Sequence, residues 1–259
     1  MQFDELRHVS KKVSDANYNL HRDFLNDTWP DLKNFDPSKI PLITDNYAVI
    51  IEPRPHPDLA YVIRNMMHFL GDHWGLCIVT SKSNVEFIRT ILPGWKNYHL
   101  RELPGTNLTR EEFRHLRKSE QFWNQLPGKK LLCFETDTLL CRSGIEEFLH
   151  YDYVGAPWTI NQSPSRVVRV GNGGLSLRSK QAMIELIGCG KPHVIPSEDT
   201  YFSIQLQLYK DLYNVPDVKT AMTFAVETLF YPRPLGLHKP WFYRTTDEMA
   251  TLYGTICYR

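Results

Sequence analysis

A chain of 259 residues with 42% hydrophobic and 12% aromatic residues carries enough apolar surface to bury one large core without help from a partner. Thirty Lys and Arg against 29 Asp and Glu leave a net charge of +1, so no global attraction draws it to nucleic acid or an anionic membrane, and any ligand must be recognised locally. Five cysteines (Cys77, Cys133, Cys141, Cys189, Cys257), an odd number with no C-x-x-C pair, argue against structural zinc and for a reducing compartment.

Residues 1–20 are charged and interrupted, and no apolar run approaches the ~20 residues of a membrane span. The expectation is a cytoplasmic protein without signal, anchor or membrane span, in which the sequons at Asn26, Asn107 and Asn161 carry little weight. Residues 1–41 are polar and punctuated by Pro30, Asp36-Pro37 and Pro41, which predicts a helical arm and connector ahead of a single domain over residues 42–259. An apolar run at 47–51 reads as a buried strand, stopped by Glu52-Pro53-Arg54-Pro55. Helical spacing over 57–70, a strand at 74–80, a helix at 83–91 and a strand at 98–101 make a βαβαβ start. That alternation predicts a mostly parallel sheet with ligands at the carboxyl ends of its strands.

Thr109 and Glu112 form a capping box, with Leu108 and Phe113 as its staple, and predict a helix running to about residue 126, where Pro127-Gly128 ends it. Lys130 to Phe134 then reads as a strand that delivers Glu135-Thr136-Asp137-Thr138 to its carboxyl edge. Two acidic residues around a spacer can ligate a hard divalent cation that bridges two phosphates. The triplet taken alone also reads as a strand-terminal turn.

Four further motifs follow in order: Tyr151-Asp152-Tyr153-Val154-Gly155-Ala156-Pro157-Trp158, Gly171-Asn172-Gly173-Gly174-Leu175-Ser176-Leu177-Arg178, Ser197-Glu198-Asp199, and Leu237-His238-Lys239-Pro240-Trp241. With Glu135-Thr136-Asp137-Thr138 they resemble an uncharacterised glycosyltransferase-like family and, more broadly, the metal-dependent glycosyltransferases of the A-type fold, over roughly residues 47–241. The resemblance implies an α/β, Rossmann-like, mixed and mostly parallel sheet flanked by helices. It also implies Mn²⁺ or Mg²⁺ on Asp137, with Glu135 or His238, and a nucleotide-sugar donor, UDP-linked. The acceptor would be a hydroxyl on a glycan, glycoprotein or small molecule.

The glycines of the Gly171 loop allow positive φ and close approach of a ligand, but the loop lacks a G-K-[ST] ending and leads into a strand, so it is no P-loop. Asn172, Gly173 and Gly174 are read as a wall beside the transferred sugar, or as a plain tight turn. Ser197 reads as a helix N-cap with Glu198 and Asp199 in the first turn, where the helix dipole alone favours carboxylates. Similarity to the acidic pair of inverting A-type enzymes assigns Asp199 as general base and Glu198 as its helper. The Lys239-Pro240-Trp241 ending is similar to the metal-binding tail of certain retaining enzymes, with His238 directly adjoining Lys239 instead of standing upstream. It places Lys239 on the diphosphate and leaves stereochemistry open.

Glu52, Arg54, Thr80 and Ser81, after the first strands, are candidate nucleoside contacts, and Thr136 joins the cofactor-binding set. Arg117, with Arg114 and Lys118, is a candidate for phosphates, while Trp158 and Trp241 either stack on sugars or pack in the core. A sugar-nucleotide nucleotidyltransferase would need a Gly-rich basic loop where Glu52-Pro53-Arg54-Pro55 stands. A carbohydrate-binding module would need no metal.

Overall fold

A computed structural model describes residues 8–164, 168–192, 194–195 and 197–258. In chain order the elements are α1 (Lys11–Leu32), β1 (Asn46–Ile51), α2 (Leu59–Leu70), β2 (Trp74–Ser81), α3 (Val85–Ile91), β3 (His99–Leu103), α4 (Arg110–Leu116) and α5 (Glu120–Gln125). They continue with β4 (Lys130–Phe134), β5 (Thr138–Leu140), β6 (Tyr153–Gly155), β7 (Leu175–Ser179), α6 (Lys180–Cys189), α7 (Glu198–Leu208), α8 (Val218–Phe224), β8 (Ala225–Val226), β9 (Gly236–His238) and α9 (Thr246–Gly254).

Strands β1, β2 and β4 are apolar at nearly every position because both faces of their sheet are covered. Ala48, Ile50, Leu76, Ile78, Leu132 and Phe134 enter one core layer, and the alternate residues Tyr47, Val49, Cys77, Val79, Leu131 and Cys133 enter the other. The six-stranded sheet runs β3-β2-β1-β4-β7-β6, with β3, β2, β1 and β4 parallel and β7 antiparallel to both its neighbours. A second, three-stranded sheet, β5-β9-β8, stands at its carboxyl edge and returns the C-terminal third of the chain to the end of β4.

The predicted helix over 109–126 is two helices. Its capping box is present, but Ser119 restarts the chain as a new N-cap, accepting from the Phe122 N–H, and the Trp123 indole takes the Arg117 carbonyl at 2.8 Å. The predicted arm is α1, which lies on α2 and α9 and inserts Leu25 and Leu32 into the main core. Burying each of these leucines stabilises the fold by about 1.5–3 kcal/mol. Among the described residues no helix is long and apolar enough to cross a membrane.

Candidate functional site

The turn after β4 is closed by Thr138, whose hydroxyl and N–H both donate to the Glu135 carbonyl, at 2.6 and 3.3 Å. Directly beyond it β5 pairs antiparallel with β9, setting Thr138 opposite His238, and the Lys239 N–H donates to the Asp137 carbonyl at 3.0 Å. This register, between residues 100 apart in sequence, gathers ligand atoms of Glu135, Asp137 and His238 within 4.8 Å of one another. Asp137 Oδ1 and His238 Nε2 face each other at 3.5 Å, and among the described residues neither buried atom has a hydrogen-bond partner. Lys239, held in the left-handed region at φ 33°, places Nζ 3.2 Å from Asp137 Oδ2.

Behind the histidine, Nδ1 lies 3.2 Å from Glu227 Oε1 and 2.9 Å from the Asn172 amide nitrogen. Asn172, at φ 82°, accepts from the N–H groups of Gly174 and Leu175 at 2.8 and 3.2 Å and donates to Glu227 at 2.7 Å. As a metal ligand His238 would be neutral, giving Nδ1–H to Glu227 and turning the Nε2 lone pair to the acidic pair. Burial works against a charged His238, but Asp137 and Glu227 outweigh it and raise its pKa. Burial likewise opposes ionisation of Asp137, and His238 and Lys239 outweigh that to hold the carboxyl below its usual range. Two carboxylates and one imidazole, with two of their buried atoms orphaned and facing each other, fit a divalent cation that takes oxygen ligands together with one borderline nitrogen.

The cluster stands between two cavities. The larger, about 480 Å³, is walled by Glu135, Trp158, Asp199, His238, Lys239 and Tyr243. The other, about 360 Å³, is walled by Glu52, Arg54, Asn107, Thr136 and Asp137, and it shares Arg110, Phe113 and Glu135 with the first. Glu52 is paired to Arg54 at 3.1 Å.

Several residues that the sequence assigns to ligand make hydrogen bonds within the protein, although Arg117, Asn172 and Glu198 also line the larger cavity. Thr80 and Ser81 are buried, and their hydroxyls donate to the carbonyls of Glu52 and Pro53 at 2.7 and 2.6 Å, bracing the turn after β1. Asn172 uses its amide on Glu227 and the loop backbone, so it shapes the wall and leaves little for a sugar hydroxyl. Arg117 is buried and donates to Glu135 at 3.2 Å and to the Gly173 carbonyl at 2.6 Å. Glu198 is no free helper, because it is buried in ion pairs with Arg117 at 3.1 Å and with Arg178. Lys118 donates to the Ile195 carbonyl. Trp241 packs under α1 against His21 and Tyr18, whereas Trp158 does line the large cavity.

Asp199 stands on that cavity wall with Oδ1 accepting from the Ser197 hydroxyl at 2.6 Å and the Thr200 N–H at 2.7 Å. Ser197 is therefore the N-cap by position, with its hydroxyl turned to Asp199 instead of to the helix. Glu227, absent from the sequence reading, follows directly on β8; an acid at a strand end is its only signal, and a two-residue strand hides it.

Superposition on known structures agrees with this topology. The apo form of the glycosyltransferase GlyE from Streptococcus pneumoniae TIGR4 matches at TM-score 0.50 and 14% identity over 83% of this chain and 61% of that one, so the chain spans about three fifths of its length. Apo mouse xyloside xylosyltransferase 1 matches at TM-score 0.51 and 10% identity, over 75% of this chain and 97% of that one. At such identities the likeness shows the fold, a mixed α/β architecture of the glycosyltransferase A type. No curated protein matches the sequence. A family model described as "Protein of unknown function (DUF5672)" matches residues 97–238, more than half of the chain. That match takes in the Glu135–Asp137 turn, the Gly171 loop and Asp199 and ends at His238, and by it the chain belongs to the DUF5672 family.

Proposed function

We propose that this chain is a metal-dependent glycosyltransferase that moves a sugar from a nucleotide-diphosphate donor, a UDP-sugar, to an acceptor hydroxyl with inversion. The observation that carries the reading is the convergence of Glu135, Asp137 and His238, with two buried atoms left unpartnered, at the carboxyl edge of β4 between two cavities. The glycosyltransferase neighbours in fold support it.

In this reading Asp137, Glu135 and His238 hold Mn²⁺ or Mg²⁺. A bound cation of that kind neutralises charge on a leaving diphosphate. Lys239 adds a second positive charge there, and the nucleoside lies between Arg54 and Phe113 in the smaller cavity. The acceptor hydroxyl enters the larger cavity and gives its proton to Asp199 as its oxygen bonds to the anomeric carbon. The bond from that carbon to the diphosphate oxygen breaks, and its electron pair leaves with the diphosphate.

Calorimetric titration of the full chain with UDP, with and without Mn²⁺, tests the reading. Binding that requires Mn²⁺ and disappears in Asp137→Ala is expected; UDP binding indifferent to Mn²⁺ and to Asp137→Ala overturns the metal site, and sugar binding with no UDP binding returns the protein to a non-catalytic carbohydrate module. Asp199→Asn keeps the fold and donor affinity while turnover falls by about 10²- to 10⁴-fold. A retained anomeric configuration in the wild-type product, read by NMR, removes Asp199 from the role of single-displacement base.

A further inference from the structure

A third cavity of about 320 Å³ lies outside the site, walled by Arg169, Val170, Ser203, Gln207, Lys210 and Tyr213. Its floor is the helix that carries Asp199. Positions 199, 203 and 207 fall at i, i+4 and i+8 on one stripe of α7, so Ser203 lies about 6 Å and Gln207 about 12 Å beyond Asp199 along the axis. Its wall is shared with the reaction cavity as well. The Trp158 N–H donates to the Arg169 carbonyl at 2.8 Å, and the Arg169 guanidinium donates back to the Trp158 carbonyl at 3.3 and 3.2 Å. Trp158 thus walls the reaction cavity and Arg169 the third, from the two ends of one rung.

The chemistry of the lining selects a ligand class. Val170, Leu206, Val215 and Pro216 provide apolar surface, interleaved with the hydroxyl of Ser203, the amide of Gln207 and the phenol of Tyr213, which gives its proton to Glu185 at 3.0 Å and keeps its oxygen as an acceptor. The charges are of both signs, Arg169 and Lys210 against Asp217, and the guanidinium is turned to the Trp158 carbonyl, so one net positive charge remains and no concentrated field invites a phosphate. Ser203 is buried, and among the described residues its Oγ has no hydrogen-bond partner. C–H faces beside hydroxyls that both donate and accept are the surface of a neutral sugar.

We propose that this cavity is a distal acceptor subsite for a neutral glycan, whose terminal hydroxyl reaches Asp199 while trailing sugar units occupy the groove over Ser203 and Gln207. The proposal rests on the transferase reading for the direction of the chain. It is tested on the full chain and on Gln207→Trp, which fills the cavity, by titration and saturation-transfer NMR. The probes are neutral mono- to tetrasaccharide series of glucose, galactose, mannose and N-acetylglucosamine, with UDP–Mn²⁺ titrated in parallel. In at least one series wild-type affinity rises by about tenfold from mono- to trisaccharide, and Gln207→Trp loses that gain while its melting and UDP–Mn²⁺ binding stay unchanged. Lys210→Trp, on the exposed rim, serves where Gln207→Trp folds poorly. No gain with chain length in any series, or a gain that both variants keep, overturns the subsite. Loss of wild-type UDP–Mn²⁺ binding alone overturns the transferase reading and leaves the chain-length gain standing as evidence of a glycan site.

Discussion

A methyl group added to Gly174 would lie 2.1 Å from Nε2 of His238, so the imidazole rests on bare backbone and has no room to withdraw without leaving the acidic pair. Gly174→Ala is therefore expected to abolish Mn²⁺-dependent nucleotide binding with near-native circular dichroism, and unchanged titration would show that the ring position is immaterial. Glu227 acts on the other side of the same ring. Glu227→Gln is expected to weaken metal affinity about 10- to 100-fold in a direct Mn²⁺ titration. His21 offers a test away from the site: burial outweighs the nearby Asp58 and lowers its pKa from 6.5 to about 4. Its folded state binds fewer protons than the unfolded one between those values, so its neutral form stabilises the fold above pH 6.5 and that stability is lost as pH falls towards 4. The size is about 3 kcal/mol between pH 7 and pH 4. Urea melts at the two pH values should show that loss in the wild type and a smaller one in His21→Gln.

The break between α4 and α5 turns Arg117 inward as a joint between elements. One guanidinium reaches the turn after β4 through Glu135, the Gly171 loop through the Gly173 carbonyl, and the start of α7 through Glu198. Arg178, at the end of β7, completes the pairing and lies over the rings of Tyr153, Trp123 and Phe202, where cation–π attraction offsets part of its desolvation. Removing one arginine leaves a buried carboxylate with half its compensation. Arg117→Met is expected to destabilise the fold by about 3–5 kcal/mol, measured by chemical denaturation. A loss under 1 kcal/mol would show that water or Arg178 alone satisfies Glu198.

At the scale of the whole molecule, α1 clasps the segment that carries Lys239. Buried Asn17 donates to the carbonyls of Arg244 and Trp241 at 2.7 and 3.4 Å and accepts from the Thr246 hydroxyl at 3.1 Å, while His21 and Tyr18 pack on Trp241. The Val9 N–H donates to the Phe242 carbonyl at 3.0 Å. Asn17→Ala strands two buried carbonyls and is expected to cost about 1–3 kcal/mol. Because Lys239 sits in the left-handed region only while its flanks are held, UDP–Mn²⁺ affinity should fall in the same variant, and affinity unchanged at reduced stability would limit α1 to a purely structural part.

The parallel start of the sheet was legible because β1, β2 and β4 are apolar runs bounded by Pro and Gly, and the local capping box at Thr109 needs only four residues to declare itself. Glu135 and Asp137 could be placed at a strand end for the same reason: a single strand of strong pattern precedes them. Everything that depends on pairing between remote segments was decided by tertiary structure. Strands β5, β8 and β9 are two or three residues long, too short for a period to emerge, and only their mutual pairing seats His238 and Glu227 at the end of β4. The partners of polar side chains were equally illegible, since a hydroxyl at Thr80 or a carboxylate at Glu198 reads the same in sequence whether it faces a ligand, a carbonyl of the next strand or two buried arginines. Burial and distance separate those cases, and both are properties of the packed chain.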